Sequence, residues 1–248
     1  MIDWTTLTIA FICLAAGGVL KGATGAGAPV IAVPALAMMF DVRFAVVVMM
    51  MPNLLTNVLQ AWRFRRSQLT GSFVWLFAIA GAVGAIIGTT MLAVFPADYL
   101  SLLVAFGVFA YIASRLMRPD WMIDLDLARR LSIPVGVVAG ILQGASGVSA
   151  PVSLTFLNAM RLDRPIFIST VSIFFVAMTL TQVPALAAAG IMTWQGLAIS
   201  FAAMLPILAF MPVGSALAQR FSKETFDRVI LAFLAALALK IIYDFTTK

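Results

Sequence analysis

One short stretch occurs twice in this chain, and its two copies constrain everything around them. Gly18-Val19-Leu20-Lys21-Gly22-Ala23-Thr24-Gly25-Ala26-Gly27-Ala28-Pro29-Val30 aligns without a gap with Gly140-Ile141-Leu142-Gln143-Gly144-Ala145-Ser146-Gly147-Val148-Ser149-Ala150-Pro151-Val152, an offset of 122 residues (Gly18 to Gly140). Glycine, Leu20/Leu142, Pro29/Pro151 and Val30/Val152 recur at matching places, and Thr24/Ser146 both keep a hydroxyl. Each copy sits in a long apolar run that it must interrupt, because a glycine inside a helix costs about 1 kcal/mol relative to alanine. Proline then suits the first turn of a new helix, where its missing N–H would have no partner. The fold must therefore place two similar helix breaks early in two similar halves.

The surroundings of those breaks are 63% hydrophobic and 10% charged. Soluble domains carry about 25% charged residues, so the chain reads as an all-α polytopic membrane protein. The net charge of +6 sits in short loops between apolar runs, where it orients a membrane protein instead of binding nucleic acid. With no histidine and the single cysteine Cys13 in an apolar run, the composition excludes haem, zinc and disulfide sites. No cofactor and no metal are expected. The N-terminus lacks a basic region ahead of its first apolar run, which is expected to stay in the mature chain.

The first apolar region, 5–40, would reach about 54 Å as one helix, too long for a bilayer core of about 30 Å. It reads as a broken or re-entrant helical hairpin with arms 5–21 and 29–40, the second too short to cross. Spans at 44–62, 72–95 and 99–116 complete a first repeat over 1–117. A linker, 118–130, carries Asp120, Asp124 and Asp126. The second repeat, 131–248, has a hairpin at 131–160 and spans at 166–188, 194–219 and 226–245. Asp41/Asp163 and Gln60/Gln182 keep the same offset.

Loop charge orients the halves. Arg63–Arg66 is basic while its counterpart 188–193 is neutral; Pro96–Asp98 has no basic residue while its counterpart Arg220–Lys223 does. Equivalent loops swap sides, as inverted-topology repeats require. The expected arrangement puts Arg63–Arg66, the linker, Arg161–Arg164 and Arg220–Lys223 in the cytoplasm and both termini outside, in a bacterial-type plasma (inner) membrane.

The residues Gly22-Ala23-Thr24-Gly25-Ala26-Gly27-Ala28-Pro29, followed by an apolar run with Pro34, and the second copy Gly144–Pro151 resemble the sulfite exporter TauE/SafE family, also called the TSUP permeases. The two-half plan resembles it over nearly the whole chain, although both copies here hold fewer glycines than the family's motif. The resemblance implies transport of sulfur-containing anions such as sulfite or organosulfonates, often outward.

A helix that starts inside a membrane offers free N–H groups and a positive dipole end to an anion. The expected substrate-binding residues are accordingly the tips Gly22, Ala23, Thr24, Gly25, Ala26, Gly27, Ala28 and Gly144, Ala145, Ser146, Gly147, Val148, Ser149, Ala150, facing each other. Lys21, the only charge deep in the first region, and its counterpart Gln143 adjoin them. Asn53, Asn57 and Gln60 follow helical spacing on one face; Ser169, Ser172, Thr179 and Gln182 make a second, less regular stripe. Packing of small residues and ordinary interhelical bonds are the plainer readings of these features. Asp41 and Asp163 are expected to cap helices or pair with Arg43 and Arg164, and Met49–Met51 to pack. The expected partners are a small anionic substrate and the lipid bilayer, with the chain a monomer or homodimer. Function is read as alternating-access transport, export driven by charge alone included; rivals are an anion channel, or a permease for another small carboxylate or oxyanion. No nucleophile with a nearby base supports an enzyme.

Overall fold

The computed structural model describes residues 4–117, 122–220 and 223–246. They form ten α-helices: α1 (Trp4–Thr24), α2 (Ala28–Met39), α3 (Val42–Arg63), α4 (Phe73–Val94), α5 (Ala97–Met117), α6 (Leu125–Ser146), α7 (Ala150–Ala159), α8 (Arg164–Ala188), α9 (Trp194–Arg220) and α10 (Lys223–Thr246). A single 3-10 turn, Arg65–Ser67, follows α3, and no strand occurs among the described residues. Six helices, α1, α3, α4, α5, α8 and α9, are long and apolar enough to cross a membrane. The chain is an all-helical integral membrane protein. The expected linker residue Asp120 and loop residues Phe221 and Ser222 lie outside the described residues.

Both broken hairpins are present. α2 has 12 residues and α7 has 10, about 18 and 15 Å, too short for a bilayer core. Their long arms run further than glycine's helix propensity alone would allow: α1 continues through Thr24 and α6 through Ser146, placing Lys21–Thr24 and Gln143–Ser146 inside helix. Gly25 and Gly147 then turn the chain with φ of 82° and 72°, a left-handed conformation that glycine adopts without steric cost. At its other end α6 begins at Leu125, within the stretch expected to be linker, because Asp124 caps it by accepting from the Leu127 N–H at 2.7 Å.

Glycine also explains why the long arms stay helical. Gly18 and Gly22 lie against the backbone of Ile207 and Met211 on α9, and Gly214 of α9 against Val19. Their equivalents Gly140 and Gly144 lie against Gly81 and Ala85 on α4, with Gly84 and Gly88 returning the contact on Val137 and Ile141. Each long arm is thus packed backbone to backbone on a span from the other half, α1 on α9 and α6 on α4. Between them α3 packs on α8. These two run antiparallel, since Asn53 meets Thr179 and Gln60 meets Ser172. A ring cluster, with Phe77 stacked on Phe174 at 3.9 Å, fills the core beside α8. Met49, Met50 and Met51 are buried, as expected of packing residues.

The turn aspartates differ. Asp41 caps α3 by accepting from the Phe44 N–H at 3.0 Å, while Asp163 makes no side-chain cap on α8. Arg43 and Arg164 are spent on backbone: Arg43 donates to the carbonyls of Leu92 (2.9 Å) and Phe95 (2.7 Å), and Arg164 to that of Ala23 (3.3 Å). Replacing Asp41 by Ala should therefore cost about 1 kcal/mol in thermal or denaturant unfolding, and the same change at Asp163 close to nothing. Equal losses would contradict these caps.

Candidate functional site: a buried polar seam

α3 carries Pro52, whose ring cannot donate to the carbonyl one turn back at Val48. Ser200 of α9 fills the gap, donating its hydroxyl to Val48 O at 3.0 Å and accepting from the Met51 N–H at 2.9 Å. Immediately beyond this repaired break, α3 presents Asn53 and Asn57, both buried. Their amides form a chain of bonds that runs in one direction. The Thr179 hydroxyl donates to Phe175 O (2.8 Å), so it accepts from Asn53 Nδ2 (3.2 Å). Asn53 Oδ1 then accepts from Asn57 Nδ2 (2.8 Å), which leaves Asn57 Oδ1 to accept from Lys21 Nζ at 2.9 Å. The chain links α1, α3 and α8.

Lys21 is 1% exposed and among the largest of the fully buried side chains in the described residues. It donates to that neutral amide oxygen, and no carboxylate contacts it among the described residues. An ammonium has three donors, so two remain for another acceptor. A lone charge in the apolar interior is costly and is kept for function more often than for stability.

On the α8 side, Gln182 Nε2 reaches the main-chain oxygens of Gln143 (3.3 Å) and Gly144 (3.4 Å). Gln60 Oε1 accepts from Ser172 at 3.4 Å. Among the described residues, four buried side-chain atoms have no hydrogen-bond partner: Gln143 Oε1, Ser169 Oγ, Thr170 Oγ1 and Gln182 Oε1. Native interiors hold few such atoms, and here all four belong to α6 and α8.

The seam brings together Lys21, Asn53, Asn57, Gln60, Ser172 and Gln182, with Gln143 against Gln182. The tips behave differently. Gly25 packs on Ile168 near the start of α8, and Gly147 on Val46 near the start of α3. Because α3 and α8 are antiparallel, the tips are offset along the seam and do not face each other. Their hydroxyls are bound locally: Thr24 donates to its own stretch at Leu20 O (2.9 Å) and also contacts Ala26 O, and Ser146 donates to Leu142 O (2.7 Å). Ser149 meets Ser153. Residues 22–28 and 144–150 thus shape the ends of the seam, while polar groups one turn earlier line it. Thr179 of the second stripe joins the site's framework, as do Thr170, Ser200 and Arg164, which no motif marks.

The family model described as Sulfite exporter TauE/SafE matches residues 9–241. No curated protein and no solved structure matches the chain. The family match takes in both glycine-rich stretches, the second hairpin, all but the first residues of the first hairpin and every residue of the seam, so the chain belongs to the sulfite exporter TauE/SafE family.

Proposed function

We propose that the chain is a secondary transporter of small sulfur-containing anions, sulfite or an organosulfonate, and that it moves them outward by alternating access of two inverted halves. The observation that carries this reading is Lys21: a buried ammonium with two spare donors, no carboxylate in contact among the described residues, and a bonded amide chain holding it in place. An anion completes that site; a cation would be repelled from it. The swapped loop charges and the reciprocal packing of α1 on α9 and α6 on α4 support inverted halves. In that arrangement the hairpin tips close opposite ends of the seam, and both termini lie outside a bacterial-type plasma membrane. Export of an anion from a cell that is negative inside gains about 2.3 kcal/mol per charge per 100 mV, so no coupled ion is needed.

The test is thermal unfolding of the purified chain with sulfite, sulfoacetate, sulfate, chloride and acetate, each on the wild type and on Lys21→Ala. At a ligand concentration about a hundred times Kd, binding adds about 2.7 kcal/mol, or about 5 °C or more. Sulfite or sulfoacetate should give that shift in the wild type and lose it in Lys21→Ala. Equal shifts in both proteins would remove Lys21 from the site, and no shift with any sulfur anion would remove the substrate class.

A further inference from the structure

The two halves treat the C-terminal ends of their long hairpin arms unequally. A helix C-terminus carries partial negative charge on carbonyls that lack intrahelical partners, and favours a cation. In the first half that end is covered. Arg164 donates to Ala23 O at 3.3 Å, Ser215 donates to Gly22 O at 3.0 Å, and the Lys21 ammonium lies one turn back. At the constant offset the positions equivalent to these, which would cover the second half's long arm, are Val42 for Arg164, Ala93 for Ser215 and Gln143 for Lys21. Two built-in cations and a hydroxyl are replaced by two side chains without donors and one neutral amide.

At this end the Gln182 amide nitrogen is the side-chain donor, on the carbonyls of Gln143 and Gly144, and among the described residues two buried acceptors have no partner, Gln143 Oε1 and Gln182 Oε1. The Gln182 amide cannot be turned round, because its nitrogen already faces the carbonyls of Gln143 and Gly144. Its oxygen is therefore an acceptor aimed away from those bonds. Both glutamines are buried, at 1% and 0% exposure.

We propose that the second half binds a monovalent cation of the sodium type at the unpartnered amide oxygens of Gln143 and Gln182, beside the C-terminal end of α6, in the role that Lys21 and Arg164 fill covalently in the first half. The two unpartnered donors are both neutral amide oxygens. That suits a hard monovalent ion, whereas calcium sites draw on carboxylates. Carbonyls at broken-helix ends commonly hold such ions in transporters. The ion site lies on the α6 side of the seam and rests on Gln143 and Gln182, whereas the anion reading rests on Lys21.

The experiment is thermal unfolding of the full chain with sodium chloride titrated against choline chloride at constant ionic strength, with a potassium arm and no sulfite present. Saturable stabilisation by sodium or potassium but not by choline is expected. In Gln182→Leu the midpoint of that titration should move at least tenfold higher. Gln143→Lys supplies the missing cation from the chain itself, so it should abolish the ion response and unfold in choline at the temperature the wild type reaches in sodium. A wild type indifferent to the exchange of choline for sodium and potassium overturns the proposal, as does a Gln143→Lys protein that keeps the wild-type response. Should that variant not fold, Gln143→Leu is read in its place, and an unshifted midpoint there has the same consequence. Because sulfite is absent, failure here leaves the anion reading to its own test.

Discussion

The Lys21→Met protein should unfold at a higher temperature than the wild type and exchange sulfite about a hundredfold more slowly in proteoliposomes. Opposite signs in the two measurements follow from one side chain. In the empty protein the Lys21 ammonium is 1% exposed and faced by a neutral oxygen, so its lost hydration is only partly returned. The effective cost of a buried ion is several kcal/mol. Methionine has a similar length and no charge, and it fills irregular gaps well. It leaves Asn57 Oδ1 without a donor, which costs about 1–3 kcal/mol. The balance favours methionine by about 1–4 kcal/mol, in line with other replacements of buried charge by apolar side chains, or roughly 2–16 °C at this chain length. With substrate present the sign reverses. Truncating one partner of a buried charge pair costs about 2–5 kcal/mol or more, and a hundredfold corresponds to about 2.7 kcal/mol.

Asn57→Leu attacks the same bond from its other end and should do the opposite to stability. It leaves Lys21 buried and bare, and removes the donor to Asn53. That protein should unfold below the wild type. If Lys21→Met unfolded earlier and Asn57→Leu were neutral, Lys21 would be a structural residue with a good local environment, and the proposed site would lose its foundation.

Why some of this was legible in the sequence and some was not comes down to range. The helix breaks, their duplication and Lys21 are local signals: glycine, proline and charge stand out within a few residues of an apolar run. The face shared by Asn53, Asn57 and Gln60 is also local, being a matter of helical period. The limits of the long arms are not. Glycine's intrinsic cost argues for ending α1 before Gly22, yet Gly18 and Gly22 are the residues that let α9 approach, and that packing outweighs propensity. The start of α6 was signalled by Asp124, an N-cap residue type, but the charges around it read more readily as linker. The local bonding of Thr24 and Ser146 is the known habit of hydroxyls in helices, back to the carbonyl one turn earlier. Arg164 on Ala23, Ser215 on Gly22 and Ser200 on Val48 join residues more than a hundred positions apart, and no pattern within a window announces them.

Gly22→Ala should be among the most damaging single-methyl changes in the chain, and Gly107→Ala among the mildest. A Cβ added at Gly22 would fall on the carbonyl oxygen and backbone of Met211, well inside contact distance. Neither side can yield by a rotamer change, because both are helix backbone. α1 and α9 must separate, and the close approaches at Gly18 and Gly214 on either side of Gly22 must open with them. Overpacking usually costs about 1–3 kcal/mol; because all three approaches open together, the loss should sit at the top of that range, about 3 kcal/mol. Transport should fall as well, since Lys21 is the neighbouring residue and turns with α1 as the helix moves. At Gly107 the first atom a Cβ would meet is Val148 O at 4.0 Å, so alanine fits and gains about 0.5–1 kcal/mol from its better helix propensity. Gly144→Ala, against Ala85 and Thr89 of α4, should match Gly22→Ala in size, because the second half repeats the same close packing. Thermal unfolding of the three proteins decides it. Mild, similar effects at all three would mean that the packing between halves is loose, and that the long arms slide on their partner spans and are not locked to them.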